Sequence, residues 1–171
     1  VEQGEIGEVK AVVHFAGSNL MHGHIHSIDT LSYLVGDIKI SRVRGDLLPR
    51  DLKIENNRLD KDPSAVYHLI FENGIEAWTV PAGHWEFEIL GTEGAIRSRN
   101  NGADWELRKM GELRGKRRFV EPASFPGVEG KSSVVACLED LVNAHESGKQ
   151  PLGNVGLTHH LTEVCLAVAE S

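Results

Sequence analysis

The chain has 171 residues, 40% of them hydrophobic and 25% charged, with a formal net charge of -7. That is enough for one sizeable core or two small ones, and the acidic balance (pI about 5.7) gives non-specific nucleic-acid binding no electrostatic support. No run approaches the eighteen or so apolar residues of a membrane span, and no signal-peptide pattern is present, so a cytoplasmic protein is expected.

The chain begins at Val1 rather than Met, which suggests a trimmed or processed product with upstream sequence missing. Gly4 and Gly7 predict a turn into a first strand over residues 9 to 15. There Val9, Ala11, Val13 and Phe15 share one side, and Lys10, Val12 and His14 the other. The strand ends at Ala16-Gly17 and delivers the chain into GSNLMHGHIHSIDTLSYLVGD, residues 17 to 37, with three histidines in five residues. A helical period puts Met21, Ile25, Ile28, Leu31 and Val35 on one face. His22, His26, Asp29 and Tyr33 fall on a neighbouring stripe. An apolar stripe beside a line of titratable groups suits a helix at the floor of an active site. Gly36 predicts its end.

A second strand is expected over 38 to 44, then a polar excursion over 45 to 64 with Pro49, Asn56, Asn57 and Pro63. From residue 65 the pattern is continuous β: strands over 66 to 71, 75 to 80, 85 to 90 and 95 to 99, and a shorter one around 105 to 108. Glu72-Asn73-Gly74, Gly91 to Gly94 and Asn100-Asn101-Gly102 supply the turns. Adjacent hairpins argue for antiparallel pairing. The basic run Arg114 to Arg118 reads as a solvated loop, with a phosphate or acidic-partner contact as the lesser alternative.

The end is helical. Ser132 or Ser133 is expected to cap a helix whose Val134, Val135, Leu138, Leu141, Val142 and Ala144 build an apolar face closed by Gly148. Thr158 is expected to cap the last helix, with Leu161, Val164, Cys165 and Val168 inward. Cys137 and Cys165 both fall in apolar helical patterns, which predicts two buried thiols in a reducing compartment rather than a disulfide. The expected fold over residues 1 to 171 is one α+β domain, an open, predominantly antiparallel sheet with helices packed on one face.

Several stretches resemble the C-terminal domain of the glucose-fructose oxidoreductase/inositol dehydrogenase/MocA family of oxidoreductases. They are GEIGEV at 4 to 9, HSIDTLSYLVGD at 26 to 37, FENGIEA at 71 to 77, EFEILGTEGAI at 86 to 96 and LTEVCLAVAES at 161 to 171. Together they span nearly the whole chain. The resemblance implies the substrate-binding and oligomerisation half of an NAD(P)-dependent enzyme acting on a sugar, cyclitol or related polyol, and a homo-oligomer through the open sheet. The cofactor, NAD or NADP, would be held by an N-terminal dinucleotide-binding domain. No Rossmann domain or G-x-G-x-x-G fingerprint is present here, and the family's Glu-Lys-Pro motif is absent, so this chain alone is expected to be inactive.

By that resemblance His26 matches the family's catalytic histidine, the acid/base or polarising group on the substrate hydroxyl. His22 stands where the family has Asp and becomes a second catalytic candidate; His24 stands where Gly is common. Asp29 matches the second acidic position and is expected to support the helix. From the residues alone, hydroxyl proton transfer near neutral pH calls for an imidazole. Asn19, His24 and His14 are the substrate-binding candidates, Asn19 being also a candidate helix cap. Trp78, Trp85 and Trp105 read first as sheet packing, and second as a stacking platform for a sugar ring.

Two rival readings remain on the sequence. If residues 22 to 26 were extended, His22, His24 and His26 would project together toward a metal. With PAGH at 81 to 84, that would suit a cupin-like barrel, although no Glu follows the histidine pair. The other rival is a non-catalytic binding or dimerisation module of the same fold.

Overall fold

The computed structural model describes residues 4–127, 130 and 132–171. Eight strands form one open sheet: β1 (Val9–Ala16), β2 (Ile40–Leu48), β3 (Ser64–Phe71), β4 (Glu76–Val80), β5 (His84–Gly91), β6 (Gly94–Arg99), β7 (Asp104–Arg114) and β8 (Arg117–Ala123). Their spatial order is β2-β3-β4-β1-β5-β6-β7-β8. β1 and β4 run parallel, Val13 beside Trp78, and every other neighbouring pair is antiparallel. The parallel pair exists because the chain leaves β1 through a helix and returns through the β2–β3–β4 meander.

A π-helical turn, Leu20–His24, leads directly into α1 (Ile25–Leu34). Two further helices, α2 (Ser133–Ser147) and α3 (Val155–Glu170), close the chain. α1 and α3 pack on one face of the sheet. Leu20, Ile28, Leu31, Leu161, Val164, Cys165 and Val168 meet Val12, Tyr67, Leu69 and Phe71 in one core. Alternation in β3 is strict: Ala65, Tyr67, Leu69 and Phe71 are buried, and the residues between them face the other side. This is the α+β fold and open sheet the pattern predicts.

Several local expectations fail, each for a visible reason. β2 runs on to Leu48, so residues 45 to 48 are strand and not loop; Gly45, Leu47 and Leu48 are partly buried opposite β3. β7 reaches Arg114 and pairs with β8, and the basic run forms the exposed turn between them, with Gly115 at φ +64. α3 starts at Val155, because Asn154 takes the extended cap conformation and its Oδ1 accepts the Leu157 amide at 3.1 Å. Thr158 instead sits one turn inside and donates its hydroxyl to the Asn154 carbonyl.

The apolar face of α2 is not buried. Val134, Val135, Leu138, Leu141 and Val142 are all exposed, and Cys137 with them; only Ala144 is covered. The 3.6-residue period was real, but the described residues of this chain offer α2 no surface to cover it. Cys165 is buried as expected, and burial pushes its thiol up to about 11. The cupin alternative falls with the open sheet and the helix through Leu34. No helix among the described residues is long and apolar enough to cross a membrane.

Candidate functional site

The histidine segment does not run as one regular helix. Its first turn is π-helical, which shifts the phase of the side chains. Leu20 turns into the core, while Met21, expected there, is 40% exposed. Gly23 is buried against Ser18 so closely that a Cβ at this position would stand 1.6 Å from the Ser18 hydroxyl oxygen. His22 and His26 are exposed on one side of this segment and His24 is fully buried on the other. The extended arrangement that would have aimed all three at a metal therefore does not form. Among the described residues no group of three or more His, Cys, Asp or Glu side chains could hold a metal ion.

Asp29 lies partly buried on α1. Burial raises its carboxyl above the ordinary range, the charge of Asp37 adds to this, and His26 acts against it. His26 and Asp29 thus share one electrostatic environment, as their three-residue spacing predicts. Asn19 is exposed before the π turn. Its carbonyl accepts the Gly23 and His24 amides at 2.9 Å each, but its side chain makes no capping hydrogen bond.

His14 and His24 lie together inside the core, away from the exposed pair. Both are fully buried, with ring centroids 6.0 Å apart and edge-on. His14 stacks on Phe87 at 4.6 Å and meets the edge of Trp85 at 4.9 Å. Its Nε2 is 3.5 Å from the Ser27 hydroxyl. Nδ1 of His24 pairs with the Tyr67 hydroxyl at 3.2 Å. His14 Nδ1 and His24 Nε2 are buried without a hydrogen-bond partner.

Burial lowers the pKa of His14 to about 4, with His24 adding to the shift. Burial lowers His24 as well, against the opposing charge of Asp62 and the Ser18 backbone. Burial likewise raises the Tyr67 phenol, so all three groups are neutral at pH 7. These two histidines, expected to touch substrate, instead form a neutral polar layer beneath the exposed pair. Ser27 and Tyr67, which complete the layer, carried no sequence signal beyond their place on an apolar face.

The helix-bearing face of the sheet is not fully covered. Where β5, β6 and β7 extend past α1, a groove of about 230 Å³ opens, walled by Thr30, Leu34, Trp85, Phe87, Ser98 and Trp105. Thr30 stands one turn after His26 on α1, to whose carbonyl its hydroxyl donates at 2.9 Å. Trp85 holds the left-handed conformation at φ +59, and Trp105 stacks on Phe125 at 5.3 Å. Two of the three tryptophans therefore wall a groove beside α1. The third, Trp78, lies on the opposite, open face, stacked flat on His68 at 4.9 Å.

No family model and no curated protein sequence matches the chain. Solved structures do match its fold along almost all of its length. A levoglucosan dehydrogenase, solved with NADH and L-sorbose, covers 99% of the chain with a TM-score of 0.69 at 17% identity. The UDP-N-acetylglucosamine 3-dehydrogenase of Acidithiobacillus ferrooxidans covers 98% at TM-score 0.67 and 13% identity. The aldose-aldose oxidoreductase of Caulobacter crescentus, complexed with glycerol, covers 99% at 0.64 and 20%. The chain spans 58%, 56% and 56% of those proteins. At these identities the likeness is one of fold, and the fold is the one the sequence resemblance implied.

Proposed function

We propose that the chain is the substrate-binding and oligomerisation domain of an NAD(P)-dependent, cytoplasmic oxidoreductase acting by hydride transfer on a sugar, cyclitol or related polyol. The observation that carries this reading is the match of fold, over 98–99% of the chain, to solved sugar oxidoreductases. Exposed His26, one turn before Thr30 in the wall of an aromatic groove, supports it, with exposed His22 four residues further back. In this reading the groove takes the carbon face of the substrate ring against Trp85 and Trp105. His26 receives the hydroxyl proton on a ring nitrogen, His22 assists, and Asn19 reaches a neighbouring hydroxyl.

The residues of this chain do not fit the dinucleotide itself. The junction between β1 and the histidine turn, where a pyrophosphate would be cradled, has its Met21 and His22 amides already bound to the Asp62 carboxylate, which would repel a phosphate. The cofactor is therefore assigned to a further domain, such as the remaining length of the structural neighbours would accommodate. The uncovered apolar face of α2 gives such a domain a surface to bury.

The open sheet face supports self-association. Val13, Phe15, Ile70, Trp78, Val80 and Leu90 form an apolar band along it. Beside the band lies an ion-pair ladder, in which Arg97 meets Glu86 at 2.7 Å and Arg108 meets Glu88 at 2.6 Å. A second copy is the occupant that would cover this band.

The experiment is NAD(P)H binding, followed by nicotinamide fluorescence, to the natural gene product and to this chain. Binding by the gene product and none by the chain is the expected result. A gene product that binds neither nucleotide would end the oxidoreductase reading and leave a binding module of the same fold.

A further inference from the structure

We infer that Asp62 is the positioning residue of the histidine turn: its carboxylate, delivered by the β2–β3 connection, sets where His22 and His26 are presented. The start of a helix leaves its first amides without intrahelical partners. Asn19 occupies the cap position here, yet its side chain caps nothing. The work is done from about forty residues away. Oδ1 of Asp62 accepts the Met21 amide at 3.0 Å and Oδ2 accepts the His22 amide at 2.9 Å. The same two stretches meet twice more: the Leu20 amide donates to the Pro63 carbonyl at 2.7 Å, and Asn19 bridges to Ser64. Residues 19 to 22 are thus fastened, residue by residue, to residues 62 to 64.

A carboxylate with both oxygens on consecutive amides is a charge-assisted pair at the positive end of the helix. Its field is not confined to the backbone. It opposes the burial shift of His24 and adds to that of Cys165. The π turn is the segment whose phase puts His22 outside and His24 inside. The group that holds its second and third amides, beside the Leu20 amide held by Pro63, therefore holds that division. The inference rests on the proposed function only for the roles of His22 and His26 towards substrate, since the positioning itself involves no ligand.

Amide hydrogen exchange and imidazole titration by NMR on this chain test it. Asp62→Asn keeps the side-chain volume but has one acceptor oxygen and no charge. It should speed exchange at Met21 and His22 by about tenfold or more, shift the His22 and His24 ring signals, and lower the His24 midpoint. Ile96 and Leu107 amides and the His159 ring should stay as they are. Asp62→Glu, with charge and both oxygens, should recover part of the protection. Unchanged exchange at Met21 and His22 would overturn the inference. So would a loss of protection spread evenly to Ile96 and Leu107, which would make Asp62 a general stabiliser. No cofactor or polyol enters these measurements, so they stand or fall apart from any dehydrogenase assay.

Discussion

The hydroxyl of Tyr67, on β3, lies 3.2 Å from Nδ1 of His24, in the turn that precedes α1. Both groups are buried, and no water can replace either partner without opening the core. Tyr67→Phe keeps the ring and removes only the hydroxyl. It should cost roughly 1–3 kcal/mol, since a buried imidazole nitrogen loses its partner. Urea unfolding measures this. An unchanged midpoint would mean that the pair contributes nothing.

The neutral state of His14 makes stability depend on pH. Its folded pKa, about 4, lies below the unfolded value of 6.5, so below pH 6.5 the unfolded chain binds the extra proton. Stability is therefore fully present above pH 6.5 and is lost as pH falls towards 4. The span corresponds to roughly 3 kcal/mol for this one group, and His24 shifts in the same direction. Urea midpoints taken between pH 7.5 and 4.5 should fall steadily. A flat profile would show that the two rings reach water in solution.

The β-hairpins, the apolar stripe of α1 and the inward face of α3 were legible because period and turn chemistry agree with burial there. Gly74 at φ +81, and Asn100, Asn101 and Gly102 all in the left-handed region, are turns that residue type alone predicts. The π turn was not legible, because Leu20 and Met21 are both apolar and a one-residue phase change leaves no mark in composition. The same shift decides which histidines are exposed, so the histidine segment could be picked out from sequence but its rings not sorted into inner and outer ones. Asp62 lay beyond reach for a different reason. Its partners are backbone amides some forty residues away, and backbone amides carry no sequence pattern.

The open face should hold two copies together. Trp78 sits at the middle of its apolar band, beside Val13 across the parallel β1–β4 pair. Trp78→Arg places a charge there that association would have to desolvate. Sedimentation should find the unaltered chain as a dimer or larger, and the variant as a monomer with an unchanged circular dichroism spectrum. A monomeric unaltered chain at tens of micromolar would remove self-association from the proposal.

Trp85 and Trp105 make the groove observable, because a polyol ring stacked on either indole changes its emission. Titration with candidate cyclic polyols should quench tryptophan fluorescence for those that bind. Trp105→Ala should weaken that binding by roughly two- to tenfold, the contribution of one aromatic contact. If a polyol binds equally well to the variant, the ring does not rest on Trp105.

His26 separates chemistry from folding most cleanly. It is exposed, so His26→Ala should change stability by no more than about 0.5 kcal/mol. If the imidazole takes the hydroxyl proton, kcat of the gene product that carries this chain should fall by about 10²- to 10⁴-fold, with a smaller change in KM. His22→Ala should cost less, because an assisting group leaves the proton acceptor in place. A kcat within a few-fold of the unaltered enzyme in His26→Ala, with the loss appearing in His22→Ala instead, would move the proton acceptor one turn towards the strand.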